Sequence, residues 1–186
     1  MKTLPVLTAL SMALAAPLAS GNDNKFRLKL TGFQEVPSVS TEASGEFEAT
    51  IGRNETFIDF ELSYRGLQGP VRQAHIHFAQ KSVNGVIVVW LCQTSLNPAP
   101  ASVALRVETC PQEGTVRGRI EAQDVIDPQP PGTPATQQIT AGELDEVIAA
   151  IRAGVAYVNV HTTPSPSGEI RGQFRRDRGR GEHGHH

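Results

Sequence analysis

Aromatic side chains are scarce. Phe, Trp and Tyr make up 5% of the 186 residues, with a single Trp. Apolar residues still reach 39%, so a core must be built mostly from Val, Ile, Leu and Ala. An excess of charge of one sign is also lacking. The formal net charge of −2 argues against a sequence-independent nucleic-acid binder, which needs a concentrated positive field. No Gly-x-Ser-x-Gly elbow occurs, and no glycine-rich phosphate loop precedes a helix. No catalytic residue and no organic cofactor site can therefore be singled out, and the motifs lean against an enzyme.

Long apolar runs are absent except at the N-terminus. Leu4 to Leu18 carries no charge, follows Lys2, and ends near the small residues Ala19-Ser20-Gly21. It is shorter than the roughly 20 residues of a membrane span. Residues 1–21 read as a signal peptide, with the mature start near Asn22 and no transmembrane anchor after its removal. The expected location is secreted or periplasmic. Cysteine is limited to Cys92 and Cys110. An oxidising compartment favours a disulfide between them, closing the loop Gln93 to Thr109. Such a closure is worth about 3 kcal/mol in the chain-entropy model. The alternative use of the pair is metal binding by thiols.

Glycine and proline are plentiful, at 17 and 13 residues, and they cut the chain into short segments. Phe26–Leu30, Glu46–Ile51 and Thr56–Tyr64 alternate in polarity as half-buried strands do, and the last two form a hairpin about Gly52–Glu55. Val86–Leu91 is uniformly apolar, as expected of a strand buried on both faces. Val103–Val107 and Gly114–Ile120 read as further strands. Four prolines exclude regular structure from Asp127 to Gln137. Thr140 and Glu143 make a capping box, and Leu144, Val147, Ile148 and Ile151 form a helical stripe that stops at Gly154. Val155–Thr162 and Gly168–Phe174 return to strand. Glu169 and Arg171 share a strand face and are expected to pair with each other or with neighbours. The expected fold is all-β, an antiparallel Greek-key β-sandwich or barrel of about eight strands with one short α-helix near residues 141–153. The domain spans residues 22–174, and residues 175–186 read as a disordered basic, His-rich tail.

The chemistry-bearing pattern is Ala74-His75-Ile76-His77-Phe78. Successive side chains of a strand alternate between faces, so His75 and His77 share one. His161, at the end of Val158-Asn159-Val160-His161, can join them if the two strands are neighbours. Three imidazoles in an exported protein suit copper or zinc, with affinity falling below about pH 6 as they protonate. The bland reading of the same residues is a satisfied polar network. His183, His185 and His186 in the tail form a second, looser metal-binding tract.

Four stretches resemble a known family: Leu30-Thr31-Gly32-Phe33-Gln34-Glu35-Val36-Pro37, Ala74–His77, Ala153–Thr162 and Gly168–Gln173. In order and spacing they are similar to the CHRD domain, the module named from the extracellular protein chordin. Ser38 stands where the family motif has a second Pro. The resemblance implies a secreted, β-rich domain over about residues 26 to 174. A weaker resemblance concerns the site. A His-x-His strand, a later strand His and a disulfide on a Greek-key barrel are similar to copper/zinc superoxide dismutases, although the His-rich loop of that family is absent after Phe78. The expected function is thus a binding protein holding a copper-type ion through His75, His77 and His161. The alternatives are an extracellular module that binds protein or glycan, with structural histidines, and a copper-dependent redox enzyme of dismutase type.

Overall fold

The computed structural model describes residues 24–127 and 137–175. The signal-peptide reading, most of the Pro-rich stretch and the three tail histidines lie outside the described residues. Among the described residues, nine strands and one α-helix follow in chain order: β1 (Lys25–Thr31), β2 (Ser44–Ile51), β3 (Phe57–Arg65), β4 (Val71–Phe78), β5 (Val86–Gln93), β6 (Glu108–Thr109), β7 (Gly114–Glu121), α1 (Leu144–Ala153), β8 (Ala156–Thr162) and β9 (Ile170–Gln173). The strands form one sheet in the order β6-β5-β4-β8-β9-β1-β2-β3-β7. Every neighbouring pair is antiparallel except β5 and β6. The sheet curls until β7 approaches β5 and β6, so the all-β fold is a nearly closed barrel. The extra strand relative to the sequence reading is the two-residue β6.

The alternation seen in the sequence sets the barrel interior. Leu28 and Leu30 of β1, Phe47, Ala49 and Ile51 of β2, and Ile58, Phe60, Leu62 and Tyr64 of β3 all point into one core. Phe47 stacks on Phe60 at 5.9 Å and meets Phe174 edge-on at 6.0 Å. Leu144, Val147, Ile148 and Ile151 of α1 are buried against the same core, each contributing about 1.5–3 kcal/mol of apolar burial. The helix begins at Leu144, later than its capping residues suggested. Gly142 takes φ +91°, outside helical space, so Thr140 cannot act as the N-cap. Half of the expected box survives, because the Glu143 carboxylate accepts the Thr140 backbone N–H at 2.7 Å. Gly154 closes the helix at φ +73°.

The expected strand Val103–Val107 is instead a turn of 3-10 helix over Ala104–Arg106. Pro100 O accepts the N–H groups of Val103 and Ala104. The Gln93 amide donates to Ala104 O and Val107 O, so a side chain satisfies carbonyls that a ladder would have used. Cys92 and Cys110 form the disulfide, with Cα atoms 5.0 Å apart, and tie this loop to the end of β5. Val103, Ala99 and Ile126 make a second small core with Ile87 and Trp90. That explains the uniformly apolar β5, which faces the barrel interior on one side and this cover on the other.

Candidate metal centre

β4 and β8 are adjacent, and their pairing decides where the histidines go. Gln73 stands opposite His161, His75 opposite Asn159, and His77 opposite Tyr157. Ala74, Ile76, Val158 and Val160 fill the barrel core. The polar partners therefore share the outer face of the sheet. β9 extends that face, with Arg171 opposite Asn159 and Gln173 opposite Tyr157. Loops roof it over, and His75, His77 and His161 are only 0%, 6% and 5% exposed.

One ligand nitrogen from each of the three histidines lies within 4.8 Å of the others. The rings of His75 and His161 are 4.9 Å apart, those of His75 and His77 5.4 Å. The hydrogen bonds then fix the tautomers. His77 Nδ1 is 3.0 Å from Gly85 O, and His161 Nδ1 is 3.0 Å from Pro166 O. A carbonyl only accepts, so both Nδ1 atoms carry the proton and both Nε2 atoms present a lone pair. His75 Nδ1 lies 3.2 Å from His161 Nε2 and must donate to it, which leaves His75 Nε2 as a lone pair too. His75 Nε2 and His77 Nε2 have no hydrogen-bond partner. Backbone carbonyls that hold Nδ1–H and aim Nε2 inward are the usual outer shell of a metal-ligating imidazole.

The unpaired atoms do not stop at the histidines. Glu35 Oε1, Gln73 Oε1, Asn159 Oδ1 and the Trp90 N–H are also buried without partners. Of these six atoms, five are acceptors and one is a donor. A buried acceptor without a donor costs about 1–3 kcal/mol, so the cluster is short of a cation or of hydrogens.

The aromatic neighbours are ordered as well. Trp90 meets the His75 ring edge-on at 4.3 Å. Tyr157 stacks on His77 at 4.6 Å and 4° between planes. The Arg171 guanidinium lies 3.4 Å over the other side of Tyr157. Arg171 also donates to Gln80 O, Val83 O and the Asn84 side chain, pinning the loop that carries Gly85.

The family profile of the CHRD domain matches residues 26–174. The chain belongs to the CHRD-domain family. The comparisons with curated proteins and with solved structures returned no match, so the likeness to copper/zinc superoxide dismutases gains no support. In this CHRD domain the four stretches that carried the resemblance meet at one place. The first supplies Glu35, the second His75 and His77, the third Tyr157, Asn159 and His161, and the fourth Arg171.

Burial also sets the protonation. It pushes His77 down to about 3 and His161 to about 4, and holds His75 well below its ordinary value with help from its two neighbours. The imidazoles stay neutral far below the pH 6 expected of exposed ones. Glu35 moves the other way. Burial raises it to about 7 against the opposing charge of Arg171. The Asn159 amide lies close enough to favour its charged form, yet Glu35 Oε1 makes no hydrogen bond.

Glu169 and Arg171 do not pair with each other. Glu169 accepts from Thr41 and Thr162 hydroxyls at 2.8 and 2.7 Å and from the Gln68 N–H. Gln73 shares the two-residue period of His75 and His77 but precedes the expected strand, which begins at Ala74, and nothing periodic marks Glu35 or Trp90. Glu35 sits in a loop, and only its place in the family motif distinguished it.

Proposed function

We propose that this CHRD domain is a binding module that holds one copper-type ion, or zinc, through Nε2 of His77, Nε2 of His161 and a nitrogen of His75. The observation that supports it best is the pair of buried, unpartnered imidazole lone pairs in a cluster with three further orphan acceptors. All three ligands are neutral at physiological pH, and the disulfide leaves no thiolate to compete. Two nitrogens on one ion at about 2.0–2.1 Å stand no more than about 4.2 Å apart. Small ring rotations bring the cluster to that size. An ion here would also neutralise part of the acceptor excess. Export through residues 1–21 fits the disulfide and the extracellular character of the family.

The site carries its own reporter, because Trp90 is the only tryptophan and touches His75. Full-length protein with His183, His185 and His186 changed to Ala should bind one equivalent of Cu(II) or Zn(II) by calorimetry. Cu(II) should quench Trp90 fluorescence with the same stoichiometry. His77→Ala should weaken binding at least a hundredfold. Unchanged affinity in that variant, or no binding by the tail-substituted chain, ends the proposal.

The family also suggests protein binding. Phe33, Leu96 and Leu105 are well exposed, at 76%, 63% and 101%, and single exposed apolar residues of this kind suit a contact surface without requiring one.

A further inference from the structure

Three of the orphan acceptors are not ligands of the proposed ion, and the placement of two, on Asn159 and Glu35, bears on the ion's remaining position. Asn159 stands directly opposite His75 in the ladder. Its Nδ2 is held towards Ser167 O at 3.5 Å, which turns Oδ1 the other way, and Oδ1 has no partner. The Asn159 amide lies near enough to His77 to influence its protonation, but His77 Nε2 accepts no hydrogen bond. Glu35 reaches the same spot from the loop after β1. The fold makes room for it at Gly168, which takes φ +125°, and where a Cβ would stand 2.3 Å from Glu35 Oε1 and 2.7 Å from Asn159 Nδ2. A bare backbone thus admits a buried carboxyl beside the amide, and its Oε1 has no hydrogen-bond partner among the described residues.

Asn159 Oδ1 is thus a buried acceptor without a donor close to His77, while Glu35 Oε1 lies on the Nδ2 side of the same amide. Three protein ligands with a water in the fourth position is the arrangement of reactive metal sites, whereas storage and structural sites are closed by four protein ligands. We propose that the histidine centre keeps an open coordination position whose water donates a hydrogen to Asn159 Oδ1, with the Glu35 carboxyl behind that amide, and that a small anion can replace this water on the ion. The inference rests on metal binding by the three histidines. It adds that the ion is presented to an exogenous ligand, and that Glu35 and Asn159 are positioning residues for that ligand.

Azide is the probe. The tail-substituted full-length protein is loaded with one equivalent of Cu(II) and titrated with sodium azide, following the azide-to-copper charge-transfer absorption and the Cu(II) EPR spectrum. An open position gives a saturable band and altered copper parameters. Glu35→Gln keeps the shape of the side chain but replaces the carboxyl by a neutral amide, which no longer disfavours an anion nearby. It should raise azide affinity at least threefold and leave Cu(II) affinity within about threefold. Asn159→Asp, which adds a negative charge at the same place, should lower azide affinity. A Cu(II)-loaded protein that gives no azide band overturns the open position while leaving the three-histidine centre standing. Azide affinity equal in all three proteins overturns the role of Glu35 and Asn159. Failure of Cu(II) to bind at all overturns both this inference and the function it rests on.

Discussion

At His77 and His161 a backbone carbonyl claims Nδ1, and that single contact decides which nitrogen faces the cluster. The three histidines themselves were legible in the sequence, because the two-residue period of a strand places His75 and His77 together whatever the rest of the fold does. Their tautomers were not legible, since Gly85 O and Pro166 O come from loops whose paths no periodicity records. Glu35 was hidden for the same reason. Its position depends on Gly168, whose positive φ and missing side chain leave the space it uses. Gly168→Ala should therefore destabilise the protein by about 1–3 kcal/mol from backbone strain and the displaced carboxyl. A denaturant midpoint indistinguishable from the parent's would show that neither constraint matters.

Among the elements, the loop between β4 and β5 does most to shape the centre. Its Gly85 gives His77 a carbonyl and donates its own N–H to the Tyr157 hydroxyl at 3.3 Å. A Cβ at Gly85 would lie 1.9 Å from Phe78 O, so only glycine permits this return. Arg171 holds the loop by two carbonyls and Asn84 while packing flat on Tyr157. One guanidinium thus steadies both the ring stacked on His77 and the carbonyl bonded to it. Lysine keeps the charge but lacks the planar fork. In Arg171→Lys, nitrogen NMR of the metal-free protein should show His77 mixing its two tautomers, and metal affinity should drop about 10–100-fold, the usual cost of losing an outer-shell contact. A single unchanged Nδ1–H tautomer would remove Arg171 from the site. The element types were mostly legible, because hairpins and the apolar stripe of α1 follow local pattern. The exceptions, the 3-10 turn at Ala104–Arg106 and the late start of α1, arose where Gln93 and Gly142 overrode that pattern.

At the scale of the whole molecule, this one face makes the fold sensitive to acid. In the metal-free protein three histidines are folded with pKa values well below 6.5, so below that pH the unfolded chain binds protons that the native state refuses. Stability from these groups is full above pH 6.5 and falls as pH drops towards about 4 and 3. Glu35 has the opposite sign. Its pKa is raised from 4.5 to about 7, so it adds stability as pH falls through that window. Three protons against one leave a net loss of about two, a slope on the order of 3 kcal/mol per pH unit at its steepest below pH 6.5. Urea midpoints at pH 7, 6 and 5 should fall in that order, and a flat or rising series would contradict it. The barrel itself was predictable from short alternating strands and frequent turns. Its strand order was not, because β8 and β9 insert between β4 and β1, and no local signal in Ala156–Thr162 names β4 as its neighbour.

The roof over the outer face has a consequence in time. The barrel core closes the centre from behind, and the disulfide-tied loop, the Gly85 loop and the Pro166 turn close it from the front. An ion held as proposed would have to wait for one of these covers to lift before entering or leaving. Capture and release rates would then follow loop opening, not the strength of three metal–nitrogen bonds. Such a centre would hold its ion through brief exposure to a stronger chelator and surrender it slowly.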